Sequence, residues 1–362
     1  MYYKKLLKPF LFRLDAERAH NSTIIFAQLA NDNALLRSLA HLIYYYQSDL
    51  LQQDIWDLSF SSPVGLAAGF DKNGLIAPLL SDLGFGFVEI GSVTAHASKG
   101  NPRPRAFRLA VDHGLINRMG LNNDGVDIIS KRIQQTIMTI PLGVNIAKTH
   151  DPAIMGNDAI EDYLYSYKKM QGLADYITLN ISCPNTTEGK TFENKEALNN
   201  LLSAIEQVRL PNAPPTLVKF SVDINKETLT ALVETCEQYH IAGYVATNTS
   251  SQRTNLQTNH NRLQNIGNGG LSGRPIADNS TKVIRWINDI LKGQKTIIGV
   301  GGIDSVKTAL DKIRAGADLI QVYTGLIYEG PGLVKTINKG LHDLMARHNI
   351  SSISELRSMD SK

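Results

Sequence analysis

Residues 142–147 read Leu-Gly-Val-Asn-Ile-Ala, and residues 176–181 read Tyr-Ile-Thr-Leu-Asn-Ile. Short apolar, β-branched runs of this kind suit strands buried on both faces, as in a parallel sheet. A helical stretch, 158–171, lies between them. The unit recurs in both directions. Strands are expected near 64–68, 87–92, 142–147, 176–181, 217–222, 243–248, 296–300 and 318–323. Further helices are expected at 195–207, 226–240, 304–315 and 331–347. Eight strands alternating with helices is the count of an α/β protein of the (β/α)8 class, a TIM barrel. A doubly wound open sheet would want G-x-G-x-x-G after its first strand, and no such turn stands there.

Composition allows a large core. The chain has 362 residues, 43% hydrophobic and 20% charged, which offsets ordering entropy as a disordered chain cannot. With 28 Gly, 13 Pro and 2 Cys it is neither collagen-like nor a disulfide scaffold. A net charge of +3 is too mild to imply nucleic acid, and none is expected as a partner. Neither C-x-x-C nor H-E-x-x-H occurs, so no metal site is expected. No apolar run approaches the roughly 20 residues of a membrane span.

Residues 1–50 differ from the rest. The first 13 hold Lys4, Lys5, Lys8 and Arg13 and no acid. Leu7, Leu11, Leu14 and Arg18 fall at helical spacing with Phe10 on the same side, the pattern of an amphipathic helix. A second apolar-rich stretch runs from Asn33 to Tyr46. Two readings stay open: a helical hairpin packed on the barrel, or a helical pair lying on a membrane surface. The expected organisation is an N-terminal helical extension over 1–50, a barrel over 51–345 and a tail over 346–362.

A barrel carries its chemistry at the C-terminal ends of its strands. Those ends hold Ala68-Gly69-Phe70-Asp71-Lys72, then Gly91-Ser92, Asn145, Asn180, Lys219, Thr247-Asn248-Thr249, Gly301-Gly302 and Tyr323-Thr324-Gly325. The glycines after strands 7 and 8 suit phosphate held on backbone N–H groups. Asn117, Asn145, Asn180, Asn185 and Asn248 offer donors and acceptors to a flat ring with alternating N–H and C=O groups. Lys72 and Lys219 add cations, and a lysine beside a flavin pyrimidine ring can stabilise its anionic reduced form.

Five stretches together resemble the dihydroorotate dehydrogenase family. They are Gly65-Leu-Ala-Ala-Gly-Phe-Asp-Lys-Asn-Gly74, Asn117-Arg-Met-Gly-Leu-Asn-Asn123, Asn180-Ile-Ser-Cys-Pro-Asn-Thr186, Gly269-Gly-Leu-Ser-Gly-Arg-Pro275 and Ile298-Gly-Val-Gly-Gly-Ile-Asp304. Asp15-Ala-Glu-Arg-Ala-His20 and Phe107-Arg-Leu109 resemble the quinone-reducing class 2 members, which carry a membrane-associated helical extension. The resemblance implies FMN as cofactor, oxidation of dihydroorotate to orotate in de novo pyrimidine (UMP) synthesis, and a membrane quinone as final acceptor. It further implies a monomer, peripheral on the cytoplasmic face of the inner membrane, with residues 1–50 forming the quinone site.

Carried over by position, the resemblance implies an FMN site of Ala68, Gly69, Phe70, Asp71, Lys72, Ser92, Asn145, Asn180, Lys219, Thr247, Gly273, Gly302, Tyr323 and Thr324. The implied substrate site is Lys72, Asn117, Arg118, Met119, Gly120, Leu121, Asn180, Asn185, Asn248 and Thr249. His20, Arg108 and Tyr323 match residues near the quinone. Cys183 is the implied catalytic base, where class 2 enzymes generally have Ser and class 1 enzymes Cys. Two other readings are a class 1-type enzyme using fumarate or NAD, and a non-catalytic FMN-binding scaffold.

Overall fold

The computed structural model describes residues 3–182 and 192–359. Eight strands close into one barrel. They are β1 (Val64–Leu66), β2 (Phe87–Val93), β3 (Leu142–Ile146), β4 (Tyr176–Asn180), β5 (Thr216–Phe220), β6 (Ile241–Ala246), β7 (Thr296–Val300) and β8 (Leu319–Val322). Neighbours in sequence are neighbours in the barrel, and β8 returns to β1. Every pairing is parallel, with Ile90 against Val144, Leu179 against Val218 and Val322 against Leu66 among the partners. The eight strands expected from the sequence are these eight.

The two-residue period of a strand sorts side chains between barrel interior and helix-facing surface. Phe87, Tyr176, Leu217, Val245, Ile298 and Leu319 form an apolar cluster inside the barrel. Trp56, on the turn between the short strands Gln53–Ile55 and Leu58–Phe60, packs against it. Gly143 leaves room for this layer, since a Cβ there would collide with the Tyr176 ring. One step further along β2 and β4 the interior becomes polar, with Glu89 and Thr178. A larger core, including Val88, Ile90, Val144, Ile177 and Leu341, fills the space between strands and helices.

Three departures from the sequence reading matter. Leu7 to Arg18 is not one helix. Helical turns over Tyr3–Leu7 and Lys8–Leu11 stop, and α1 (Ala16–Asn31) starts afresh at Asp15, whose Oδ1 accepts the N–H groups of Glu17 and Arg18. This is an N-cap, and it overrides the apolar spacing that crosses it. Then α2 (Ala34–Tyr44) begins at the Asn33 cap. Second, the segment set apart as a tail packs against the protein over its described part. Helix Ile353–Ser358 buries Ile353 and Leu356, and Arg357 pairs with Asp318 at 2.8 Å. Third, two barrel loops form an antiparallel sheet of Ala106–Leu109, Gly114–Asn117 and Gly270–Gly273. Its edge docks on the end of β8, where Ser272 and Thr324 share a hydrogen bond of 2.9 Å.

Candidate active site

At the C-terminal ends of the strands lies a cavity of about 760 Å³. That is within the range of a nucleotide-sized ligand site. Of the residues singled out in the sequence, Ala68, Gly69, Phe70, Lys72, Ser92, Asn180, Lys219, Thr247, Asn248 and Thr249 line it. So do Asn117, Met119, Gly120 and Leu121 from the loops, and Gly273, Gly302, Tyr323 and Thr324. His20 and Arg108 complete the set on the extension side. Strand ends far apart in sequence are thus gathered on one surface.

The polar floor is one connected network. Ser92 Oγ donates to Asn145 Oδ1 at 2.5 Å, and Asn145 Nδ2 donates to Glu89 Oε1 at 2.9 Å. Asn180 Nδ2 donates to Ser92 Oγ at 3.0 Å, and Asn248 Nδ2 donates to Asn180 Oδ1 at 3.1 Å. The Lys219 ammonium stands 3.7 Å from Glu89 Oε1. Glu89 is fully buried, and buried charge survives where partners replace water. Asn145 therefore acts from beneath, holding Ser92, and does not itself line the cavity.

Two of the singled-out residues face elsewhere. Asp71 is buried and accepts the N–H groups of Leu75 and Ile76, each at 2.9 Å, so it shapes the loop after β1. Burial raises its pKa against those N–H groups. Arg118 donates to the carbonyls of Ile266, Asn268 and Pro104 and covers the Phe107 ring, so it pins the loops instead of touching the cavity. Cys183 and Asn185 lie outside the described residues.

Electrostatics separates the two lysines. Burial pushes Lys72 down to about 8, helped by Arg105 and opposed by Glu17 and Asp71. That arrangement leaves its charge responsive to an anion in the cavity. Burial, then Lys72, pushes His20 down to about 3, so its imidazole is neutral at ordinary pH. His20 packs edge-on against Phe70 at 5.2 Å, and Phe70 against Tyr323 at 5.5 Å. These rings join α1 to the end of β8. Arg108 donates to the Leu14 carbonyl at 2.9 Å and lies 4.8 Å from the Phe12 ring centroid.

The far side is a glycine cradle. Gly273, Gly301 and Gly302 have φ of 92°, 123° and 74°, backbone that side-chain-bearing residues avoid. A Cβ on Gly302 would collide with Ala277, the first residue of α3 (Ala277–Leu291). Backbone donors at a helix start favour phosphate. Among the described residues, three buried acceptors in the cavity wall have no partner: Asn122 Oδ1, Thr249 Oγ1 and Gln321 Oε1. A cradle closed to side chains, a lysine on the floor and orphaned acceptors fit a phosphorylated, N–H-bearing ring compound such as a flavin nucleotide. Glu89, Asn122 and Gln321 escaped the sequence reading. For Glu89 and Gln321 the only signal was a polar residue inside an apolar strand, Glu89 between Val88 and Ile90 and Gln321 between Ile320 and Val322; Asn122 lies within the quoted stretch 117–123.

A family model described as "Dihydroorotate dehydrogenase" matches residues 50–345. The chain belongs to the dihydroorotate dehydrogenase family. Relatives extend the match to both ends. A Natronomonas pharaonis protein named "Dihydroorotate dehydrogenase (quinone)" is 41% identical over 360 residues, covering 98% of this chain and 99% of the relative. A Proteus mirabilis protein of the same name is 44% identical over 351 residues, covering 93% and 99%. Among solved structures, the Eimeria tenella enzyme in complex with ferulenol superposes with a TM-score of 0.79 at 31% identity, over 91% of this chain and 94% of that one. The family match alone begins at residue 50, whereas the quinone-named relatives align across the N-terminal helices as well.

Proposed function

We propose that this protein oxidises dihydroorotate to orotate on non-covalently bound FMN, and that the electrons pass to a membrane quinone, in de novo pyrimidine synthesis. The observation that carries the reading is the floor network, in which Lys219, Asn145, Ser92, Asn180 and Asn248 are linked through Glu89. FMN would sit with its phosphate on Gly273, Gly302 and Thr324 and its ring on Ser92, Lys219 and Thr247. When bound it supplies the acceptor for a hydride.

The chain's own groups do the rest. Asn117, Asn180, Asn248 and Thr249, with Asn185, orient the substrate ring through its alternating N–H and C=O groups. Lys72 faces the substrate carboxylate, and its ammonium is favoured once that anion arrives. Cys183 takes the proton from C5 as the hydride leaves C6. Both bonds lost are C–H bonds, and the product is the C5–C6 double bond. His20, Phe70, Tyr323 and Arg108 form the approach for the quinone, which leaves as quinol after taking two electrons and two protons.

Residues 1–50 are assigned to membrane attachment and quinone access, and 51–345 to the catalytic barrel. Among the described residues, twelve of the eighteen exposed large hydrophobics, from Leu6 to Ile43, lie on the extension, including Phe26 at 70% and Leu42 at 77% exposure. No described helix is long and apolar enough to cross a membrane. Lying on one face of the bilayer is the attachment this supports, here the cytoplasmic face of the inner membrane, as a monomer. Purified protein should be yellow, release FMN on acid precipitation, and bleach with dihydroorotate. Quinone should restore the colour faster than fumarate or NAD. Colourless protein that takes up no FMN would sink the reading.

A further inference from the structure

Glu89 is a buried carboxylate in the middle of the barrel, and five side chains converge on it. Asn145 Nδ2 reaches Oε1 at 2.9 Å, and Lys219 Nζ stands at 3.7 Å from the same oxygen. Tyr176 OH, Thr178 Oγ1 and Gln321 Nε2 reach Oε2 at 3.3, 3.1 and 2.9 Å. A carboxylate has about four lone-pair sites and, when ionised, only accepts. Every neighbour here is placed to donate, and the Lys219 ammonium is among them, an arrangement that suits an ionised carboxylate. The site is therefore built around a negative charge, at no solvent exposure.

That charge is larger than packing needs. Tyr176, Thr178 and Gln321 are neutral, and a glutamine would satisfy some of their donors. What glutamine could not do is hold the Lys219 ammonium as an ion pair. Lys219 is itself 5% exposed, comes from β5, and lines the cavity directly above this layer. The pair thus places one cation against the ligand and one anion behind it.

We propose that Glu89 is a positioning residue that fixes Lys219 and Asn145 beneath the flavin and, by its charge, tempers how strongly Lys219 stabilises the reduced ring. This rests on the flavin assignment above. The sign follows from Coulomb's law in a poorly screened interior. A reduced flavin that carries negative charge is favoured by Lys219 and disfavoured by Glu89. Removing the anion leaves Lys219 unopposed, so the flavin becomes easier to reduce.

The test is the flavin midpoint potential of holoprotein carrying Glu89→Gln and, separately, Glu89→Asp. Glu89→Gln keeps the shape and loses the charge. It should shift the reduction equilibrium about tenfold toward the reduced form, about 30 mV upward for a two-electron couple. Glu89→Asp keeps the charge but withdraws it from Lys219, and should shift the potential in the same direction by less. Lys219→Met should shift it downward. A purely structural role predicts looser flavin in both Glu89 variants with no ordered change in potential. An unchanged or lowered potential in either Glu89 variant overturns the proposal. If neither variant retains flavin, Glu89 is needed to build the site, and the tuning role is rejected. If the parent protein binds no flavin, the functional reading itself has failed, which is a separate outcome.

Discussion

At the scale of single residues, the proposed mechanism asks a thiol to act as base and a lysine to hold the substrate anion. A free thiol has a reference pKa near 8.5, so a small fraction is thiolate at neutral pH. Cations close to a thiol lower that value. Lys72 is held down to about 8, first by burial, so its positive charge is present below that pH and lost above it. Activity per encounter, kcat/KM for dihydroorotate, should rise with pH along the Cys183 titration and fall as Lys72 deprotonates, giving a narrow bell. Cys183→Ser should move the rising limb to higher pH, because a hydroxyl is a far weaker acid. Cys183→Ala should lose most flavin reduction yet still bind orotate. Lys72→Met should abolish the falling limb while weakening binding. A Cys183→Ala protein that reduces its flavin at the parental rate would remove Cys183 from the mechanism.

At the scale of elements, the extension is tied to the loops over the cavity by a buried ion pair. Glu17 of α1 and Arg105 are each 5% exposed, and the Arg105 Nη2 to Glu17 Oε1 distance is 2.8 Å. Burial works to raise the Glu17 pKa, but the Arg105 and Arg103 guanidiniums hold it below the usual range. The remaining Arg105 nitrogen, Nη1, donates to the carbonyls of Lys99, Asn101 and Met119. Met119 belongs to the stretch that follows Asn117. Glu17→Gln leaves Arg105 buried and unpaired, a change that costs about 3 kcal/mol, toward the low end for such pairs because Glu17 also borders the cavity. Thermal unfolding should come earlier, and KM for dihydroorotate should rise severalfold. Deleting residues 1–50 should reproduce that KM effect and also cut the rate with long-chain quinones. Unchanged KM in both variants would show that the extension serves the quinone alone.

For the whole molecule, buried amines govern stability against pH. Lys312 of α4 (Val306–Arg314) is 1% exposed and donates to the Ala277 carbonyl at 2.6 Å and to Thr281 Oγ1 at 2.8 Å. It thereby anchors the start of α3 behind the glycine cradle. Burial pushes it down to about 7 from 10.5. Between those values the unfolded chain binds more protons than the native one, so stability climbs with pH; below about 7 the penalty is complete. Lys72 has the same sign between about 8 and 10.5. Tyr323, raised by burial to about 12 from 10.0, holds its proton in the native state, and stability is lost above pH 10 as the unfolded phenol ionises. The unfolding temperature should therefore rise from about pH 7 and peak near pH 10, and Lys312→Met should flatten the rise from pH 7. A maximum at or below pH 6 in the parent would contradict this. The apolar face of the extension makes a second whole-molecule expectation. Phe26→Ser with Leu42→Ser should weaken binding to anionic vesicles while leaving flavin reduction intact, measured by vesicle sedimentation.

The sequence by itself determined the barrel, because eight buried strands each write their own apolar run and need no knowledge of their neighbours. It also located the polar strand ends, since a parallel barrel puts them all on one face. The α1 start at Asp15 was legible in principle, as a cap side chain acts on backbone N–H groups only two and three residues on. Tertiary structure alone decided the rest. Asp71 and Arg118 sit in the right motifs, yet Asp71 is committed to backbone N–H groups of its own loop and Arg118 to carbonyls of a loop about 150 residues away. Glu89 and Gln321 lie 232 positions apart in the chain, and nothing local reveals that they meet. The three-stranded sheet over the loops joins segments separated by about 150 residues. A strand's own pattern reports whether it is buried, but the partner of a buried charge is chosen by the closure of the barrel, which brings β2, β3, β4, β5 and β8 around one carboxylate.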